Sequence, residues 1–397
     1  MQQQMDMEII HEDIVVVGAG LAGLTTALGL HRLGVRCLVL ESADSLRSTG
    51  FALTLWPNGW RALDAVGIAD KLRGKSIRIL GYKIASRDSN VPTSSEADVN
   101  FVKSEVRCIR RRDLLETLEN ELPQGTIRYS SKLDSINESE NIKLIHLSDG
   151  SVVRTKVLIG CDGANSKVAK WLGLESPIST GRSSIRGIVD FPDEHGFEPK
   201  VHTYFGGGLR CGFIPCDRNT MYWFCNFKTL VFKNDPNPST MKQFVLNSIR
   251  NAPEKVLNVV ECTKSDSFSY ASIKFRSPWN VLFGNIVKRN VCVAGDALHP
   301  MPPYTSQGGG SALEDGVVLA RCLGTKEWDD GGVRRYSQER RWRSFSLISV
   351  TCLVGWIQGS DSKVMGFLRK MFLARVALGA MVRMAGFDCG ELVASEY

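Results

Sequence analysis

Six residues, Gly18-Ala19-Gly20-Leu21-Ala22-Gly23, constrain this 397-residue chain more than any others. They fit the GxGxxG spacing, and their flanks fit it too. The run before them, Ile14-Val15-Val16-Val17, is continuously apolar, as in a parallel strand buried on both faces. After them Leu21 to Leu33 carries helical periodicity that Gly34 stops, and Val35 to Leu40 follows as a second strand. In such a strand–turn–helix Gly18 permits the tight turn, Gly20 lets a pyrophosphate approach the backbone, and Gly23 lets helix and strand pack closely. Phosphate then meets free N–H groups at the positive helix end, where Leu21 and Ala22 sit. Glu41 closes the second strand, eighteen residues beyond Gly23, where an acid accepts from ribose hydroxyls. The spacing predicts a dinucleotide site and argues against a 2′-phosphate there. It does not distinguish FAD from NAD.

Two later segments have the same buried-strand character and each ends in Gly and Asp. Val157-Leu158-Ile159 leads into Gly160-Cys161-Asp162-Gly163, and Val291-Cys292-Val293-Ala294 leads into Gly295-Asp296. A carboxylate at the carboxyl end of such a strand lies where open α/β sheets bind ligands. For Asp162 a competing reading stands beside it, that the side chain merely caps a helix beginning near Lys167. Asp296 is suited to the hydroxyls of a ribityl chain. The run Gln307-Gly308-Gly309-Gly310 lets backbone approach a flat ring, and a helix expected over Ser311 to Leu323 aims its positive end at that ring. Glu314 and Asp315 are placed in its first turn, where the dipole suits them.

Composition narrows the class. The hydrophobic share is 43% and the charged share 23%, as in ordinary globular proteins. A net charge of +7 is scattered, with local clusters such as Arg110-Arg111-Arg112 and no basic stripe, so nucleic acid is not an expected partner. Eleven cysteines show no CxxC pair and no histidine at zinc spacing, so no metal is expected and reduced, mostly buried thiols are. The acidic lead before Asp13 is unlike a transit peptide, and a cytoplasmic location is the expectation. Val364 to Met384 is apolar but interrupted by Arg369, Lys370, Arg375 and Arg383, too charged to span a membrane. It reads as an amphipathic helix packed on the body, with peripheral membrane contact as the alternative.

Residues from about Ser183 to Phe283 differ from the rest. They alternate apolar and polar and are rich in aromatics, which predicts a mostly antiparallel sheet with one face covered. Gly206-Gly207-Gly208 has no helix after it and reads as a hairpin turn, so there is one nucleotide motif only. Beyond Gly310 the pattern is helical nearly to the end.

Taken in order, the three segments resemble the single-component flavoprotein aromatic hydroxylases, the group of p-hydroxybenzoate and salicylate hydroxylases. The wording is most similar to plant salicylate-hydroxylase-like monooxygenases, zeaxanthin epoxidase and FAD-dependent urate hydroxylase. The resemblance runs from about residue 12 to 345 and includes Arg111-Arg112-Asp113-Leu114-Leu115, similar to the family's R-x-x-L helix start. It implies an α/β fold: a Rossmann-like FAD-binding domain over 1–75, 100–182 and 285–330, a mostly antiparallel substrate layer over 76–99 and 183–284, and C-terminal helices over 331–397. It implies that Arg111 and Arg47 contact FAD, together with Gly18, Gly20, Leu21, Ala22, Gly23, Glu41, Asp162, Gly295, Asp296, Gly308 and Gly309. The chain departs from the family pattern at Ser306, where relatives carry glycine, and at Val168-Ala169, where many read Val-Arg.

The resemblance also implies an activity. NAD(P)H docks transiently and reduces the flavin, dioxygen adds at flavin C4a, and the hydroperoxide passes one oxygen to an aromatic substrate. No Ser-His-Asp or Cys-His arrangement is legible, consistent with a flavin that carries the hard chemistry. Pro302 and Pro303 would wall the pocket, His299 reads as structural, and Arg210 and Tyr222 are the candidates for holding the substrate ring. Isoprenoid epoxidation and a flavin oxidase on the same fold are the alternatives, with a prenyl-protein escort module a distant one. Monomer and homodimer both remain open.

Overall fold

The computed structural model describes residues 9–46, 51–86, 95–100, 104–232, 234–324, 330–359 and 378–393. Arg47 lies outside them, as do residues 364–377 of the apolar segment that runs from Val364 to Met384.

Apolar residues on both faces make β1 (Ile9–Val17) a central strand. It pairs in parallel with β2 (Leu38–Leu40) on one side and β10 (Val152–Gly160) on the other. Beyond them β7 (Ile127–Arg128) and β17 (Val291–Val293) extend the parallel array. Antiparallel β16 (Val287–Lys288) and the hairpin β8 (Leu133–Ser139) and β9 (Ile142–Leu147) complete this sheet. The second strand is shorter than its apolar pattern suggests, because only Leu38 to Leu40 find partners.

Helices α1 (Leu21–Arg32) and α9 (Gly308–Leu323) pack on this sheet and on each other through small residues. A Cβ on Gly29 would fall 2.6 Å from Ala320, and one on Gly316 would fall 2.6 Å from Thr25. Beside them lie α2 (Pro57–Ala65), α3 (Ala69–Arg73) and α4 (Arg111–Asn120). A short ribbon of β3 (Ala52–Leu55) and β6 (Arg107–Arg110) positions the start of α4. Helix α5 (Lys167–Trp171) follows β10.

The second sheet holds seven strands in the order β15-β11-β14-β13-β12-β4-β5. They are β4 (Gly81–Ser86), β5 (Ser95–Asn100), β11 (Ile178–Asp190), β12 (Val201–Gly206), β13 (Leu209–Pro215), β14 (Thr220–Lys228) and β15 (Phe268–Phe275). All pairs are antiparallel except β12 with β4. Gly206 to Gly208 turn the β12–β13 hairpin, as expected of a glycine run with no helix after it.

Two elements in this region escape a reading by alternation alone. Helices α6 (Pro238–Ser248) and α7 (Glu254–Glu261) interrupt the strands. Their apolar faces, including Met241, Val245, Val256 and Val260, cover one side of the sheet against Phe213, Trp223 and Phe227. A third, α8 (Pro278–Phe283), leads back toward β16. Finally α10 (Asp330–Gly359) runs along the molecule, and α11 (Leu378–Ala385) follows.

The helix expected from Ser311 starts three residues earlier, at Gly308. The three glycines therefore form its first turn, and Glu314 and Asp315 do not: they lie one turn further on, fully buried. Their charges are held by partners on α10 described below, and the helix dipole is not what places them.

Candidate flavin and substrate site

The carboxyl ends of β1, β10 and β17 lie side by side, because Val17 pairs with Gly160 and Gly160 with Val293. Backbone bonds tie the turns that follow: Gly18 N–H donates to Leu40, Cys161 N–H to Val17, and Ala294 N–H to Gly160. All three glycine-containing segments thus meet at one edge. Gly18 has φ of +103°, and a Cβ there would stand 2.5 Å from the Cys161 carbonyl. Gly23 is equally constrained, since its Cβ would meet the Gly18 carbonyl at 2.0 Å. Gly295 backs onto the first turn of α1, 2.9 Å from Ala22 by the same measure.

The first turns of α1 and α9 both carry no side-chain cap and no acid. Their leading amides are therefore left for a ligand, with the positive helix ends behind them. Glu41 is buried and pins the glycine loop, accepting from Ala19 N–H at 2.9 Å and Ala43 N–H at 2.9 Å.

Two aspartates with the same sequence signature have different surroundings. Asp162 accepts from Lys167 N–H at 2.7 Å and from the Ser166 hydroxyl, while Ser166 accepts from Ala169 N–H. It is a component of the α5 cap, as the competing reading had it. Burial raises its carboxyl, and those hydrogen bonds oppose the rise. Asp296 is instead the one exposed residue between Val291 and Pro300. A lone exposed carboxylate at the end of a buried parallel strand is a feature that core packing does not require.

Arg111 starts α4, its backbone N–H fixed on the Phe51 carbonyl at 2.7 Å. Burial pulls its guanidinium down, the Asp296 carboxylate pulls it up, and Arg186 adds to the lowering. Its buried Nε has no acceptor among the described residues, and neither has Nε2 of Gln307. Buried donors without acceptors are costly in a finished structure. An acceptor-rich ligand beside the start of α4 would satisfy Arg111.

Behind this surface lies an ion network that the sequence pattern did not reveal. Arg340 is fully buried, with Nε 2.6 Å from Asp315 and Nη1 2.7 Å from Glu314. Arg343 reaches Glu314 at 2.7 Å, and Asn58 Nδ2 donates to Glu314 at 2.6 Å and to Gln307 at 3.0 Å. Asp315 also accepts from Gly295 N–H at 2.7 Å and lies 2.6 Å from His299 Nε2. Burial alone would raise the Asp315 carboxyl, but His299, Arg340 and the Gly295 amide hold it at about 2. His299 is therefore a structural group that fixes the Gly295 turn. No group of three His, Cys, Asp or Glu among the described residues has the geometry of a metal site. All eleven cysteines are free, and only Cys262 is exposed.

The open face of the second sheet supplies the other wall. Strand alternation puts Arg182 and Arg186 of β11, Arg210 of β13, and Tyr222 and Phe224 of β14 on the side away from α6 and α7. Arg210 lies 5.5 Å from the ring centres of both Phe205 and Phe224, and burial lowers its pKa. Gly212 makes room for the Phe224 ring, which a Cβ there would approach to 2.5 Å. Tyr222 is buried, which raises its hydroxyl, while Arg186 opposes the rise. Arg186 thus acts electrostatically on both Tyr222 and Arg111. Arg182 and Arg186 escaped the sequence reading, although their spacing of four in an alternating strand puts them on one face. At the third wall Pro302 is buried, Pro303 is exposed in a single 3-10 turn, and Ser306 closes that turn in the left-handed region with φ of 53°. Gly308 and Gly309 follow directly, and Gly309 packs under Leu53.

Comparison with known proteins identifies the family and the fold. The profile of the FAD binding domain family matches residues 11–350. Monooxygenase 2 of Arabidopsis thaliana is 46% identical over 96% of this chain and 98% of its own. Monooxygenase 1 of the same plant is 36% identical over 96% and 99%. Among solved structures, Klebsiella pneumoniae HpxO complexed with FAD and uric acid superposes with a TM-score of 0.82. It is 20% identical and covers 95% of this chain and 96% of its own, a likeness of fold.

Proposed function

The chain belongs to the FAD binding domain family and is an FAD-dependent monooxygenase of the aromatic-hydroxylase type, and on that premise we propose that it hydroxylates an anionic aromatic or heteroaromatic molecule with NAD(P)H as electron donor. The observation that carries the reading is the opposition of two walls. On one side are Asp296, Arg111 and the uncapped first turns of α1 and α9; on the other are Arg186, Arg210 and Tyr222.

The residues present fit FAD. Amides of Leu21, Ala22 and Gly23 would receive its pyrophosphate, with Arg47 as a further candidate. Glu41 would accept from the adenosine ribose, and Asp296 from the ribityl chain. Arg111, Asp162 and Gly295 border the same edge. Amides of Gly308 and Gly309, at the positive end of α9, would face the ring. When bound, FAD supplies the redox chemistry: two electrons from NAD(P)H reach dioxygen, one oxygen atom enters the substrate and the other leaves as water.

The chain's own side chains bind and orient. Arg210 and Arg186 would pair with an anionic substituent in surroundings where water does not screen them. Tyr222 would donate its phenolic hydrogen to the ring substituent, since burial keeps that hydroxyl protonated at neutral pH. Pro302 and Pro303 offer no N–H and no titratable group, so they would exclude water without providing a competing proton donor. One nucleotide motif suffices if NAD(P)H docks only transiently.

The test is a screen of benzoates, phenols and purines for stimulated NAD(P)H consumption, with label from 18O2 traced into the product. Arg210→Ala is expected to raise KM for the accepted anion about 10- to 100-fold, matching the loss of a charge-assisted hydrogen bond of about 1.5–3 kcal/mol. Flavin content should be unchanged. An unaltered KM for every accepted substrate would remove Arg210 from the site, and oxidation without nicotinamide would make the protein an oxidase.

A further inference from the structure

One face of α10 is apolar, exposed and unused by the flavin and substrate site. From residue 344 to 359 the helix contains no Asp, Glu, Lys or Arg. Along that stretch the outward stripe comprises Trp342, Phe345, Ser346, Ser349, Cys352, Leu353 and Trp356, spaced as one side of a helix. Trp342 is 62% exposed, Leu353 54% and Trp356 64%. The stripe continues sideways onto α8. Trp279 lies 5.4 Å from Phe345 by ring centres and stacks on Phe283 at 6.0 Å, and Trp342 meets Phe345 at 5.6 Å.

The order of side chains along the stripe is palindromic. Counting outward from Ser349, three residues away stand Ser346 and Cys352, four away Phe345 and Leu353, and seven away Trp342 and Trp356. Each step pairs like with like: small, then large and apolar, then tryptophan. A two-fold axis through Ser349, perpendicular to the helix, would carry every position onto its equivalent in a second copy. Small residues would meet at the centre, where backbones approach most closely, and Trp342 would pack against Trp356 of the second copy at both ends.

We propose that this stripe is a homodimer interface, in which α10 of two copies of this chain pack antiparallel about Ser349. Five side chains, Trp279, Phe283, Trp342, Leu353 and Trp356, expose on the order of 700 Å² per copy, given about 150–250 Å² for a whole aromatic side chain. A stable interface buries about 800 Å² per partner, so the patch has the size a dimer requires. A lipid surface fits less well, because headgroup binding needs free cations beside the apolar face. The arginines of α10 nearest the stripe are engaged: Arg340 and Arg343 bind Glu314, Arg341 donates to the carbonyls of Val281, Leu282 and Gly284, and Arg335, exposed two turns before Trp342, donates to the Cys322 carbonyl.

Sedimentation of the full FAD-loaded chain at micromolar concentration should give twice the 43.9 kDa chain mass. Ser349→Arg would set two cations against each other on the axis and should weaken dimerisation about 100-fold or more. Ser349 is half-buried at the surface and apart from the flavin site, so the flavin spectrum of the variant should match the parent, and its melting temperature should fall only by the concentration-dependent share that dimerisation supplies. Ser349→Cys should link to itself across the axis under diamide and give a covalent dimer. Cys352 of the unaltered chain, placed opposite Ser346 of the second copy, should not. A wild-type monomer at 43.9 kDa, or a Ser349→Arg chain that remains dimeric, would overturn the proposal. A monomer that floats with phosphatidylserine vesicles would overturn it in favour of a lipid surface.

Discussion

Asp162 and Asp296 carry the same signature, an acid after glycine at the end of a buried strand, yet they occupy unlike environments. Asp162 takes three hydrogen bonds at the start of α5, from Ser166, Lys167 and Val168, and Asp296 stands exposed near Arg111. Asp162→Ala should therefore cost about 1 kcal/mol of stability through the lost cap. Asp296→Ala should leave the stability of the flavin-free protein within about 0.5 kcal/mol and instead weaken FAD binding. Urea melts without FAD and flavin titration of each variant separate the two effects. A fall in apo-protein stability for Asp296→Ala equal to that for Asp162→Ala would contradict the distinction. The sequence showed where both carboxylates lie and could not show which one is engaged, because capping depends on the path taken by Ser166 and Lys167. Ser306 is the converse case. Comparison with the family pattern exposed a missing glycine, and the left-handed conformation there gives the reason glycine suits the position.

At the scale of elements, the parallel strands and α1 were legible because their apolar runs and glycines are local signals. Helices α6 and α7 were not: their segment was read for its aromatic alternation, and which face of the sheet they cover is a tertiary fact. The pairing of α9 with α10 was equally hidden, since Glu314 and Asp315 meet Arg340 and Arg343 across twenty-five or more residues. That pairing makes a strong prediction. Arg340→Met would leave two buried carboxylates without their shared cation and should cost about 3–5 kcal/mol, as broken buried pairs do. It also sets a pH dependence. The folded carboxyl of Asp315, at about 2, lies below its unfolded value of about 4, so its stabilising contribution is complete above pH ~4 and is lost as pH falls toward 2. Glu314 is lowered as well and acts with the same sign. Together the depressed acids should remove about 2 kcal/mol or more over that window. Denaturant midpoints measured from neutral pH downward check it; midpoints that hold steady below pH ~4 would contradict the network's role.

For the whole molecule, the two sheets do not have wholly separate interiors. One apolar cluster joins Ala52 and Trp56 beside α2, Ile214 and Tyr222 on the second sheet, Leu347 on α10, and Met381 on α11. Removing any one of these elements would expose the faces of the others, so the layers should unfold together even though chains of this length often unfold in steps. The proposed flavin site spans the same junction, with Arg111 and Asp296 on one side and Arg186 on the other. Bound FAD should therefore stabilise both sheets at once. At a free concentration of about 100 times its Kd, FAD should add about 2.7 kcal/mol. Far-ultraviolet circular dichroism reports both sheets, tryptophan emission includes Trp223 in the second sheet and Trp60 in the first layer, and flavin fluorescence reports release. All three curves should share one midpoint and move together as FAD is added. A tryptophan or dichroism phase that precedes flavin release and ignores FAD concentration would show that the second sheet melts by itself, and the shared cluster would then be too weak to couple the layers.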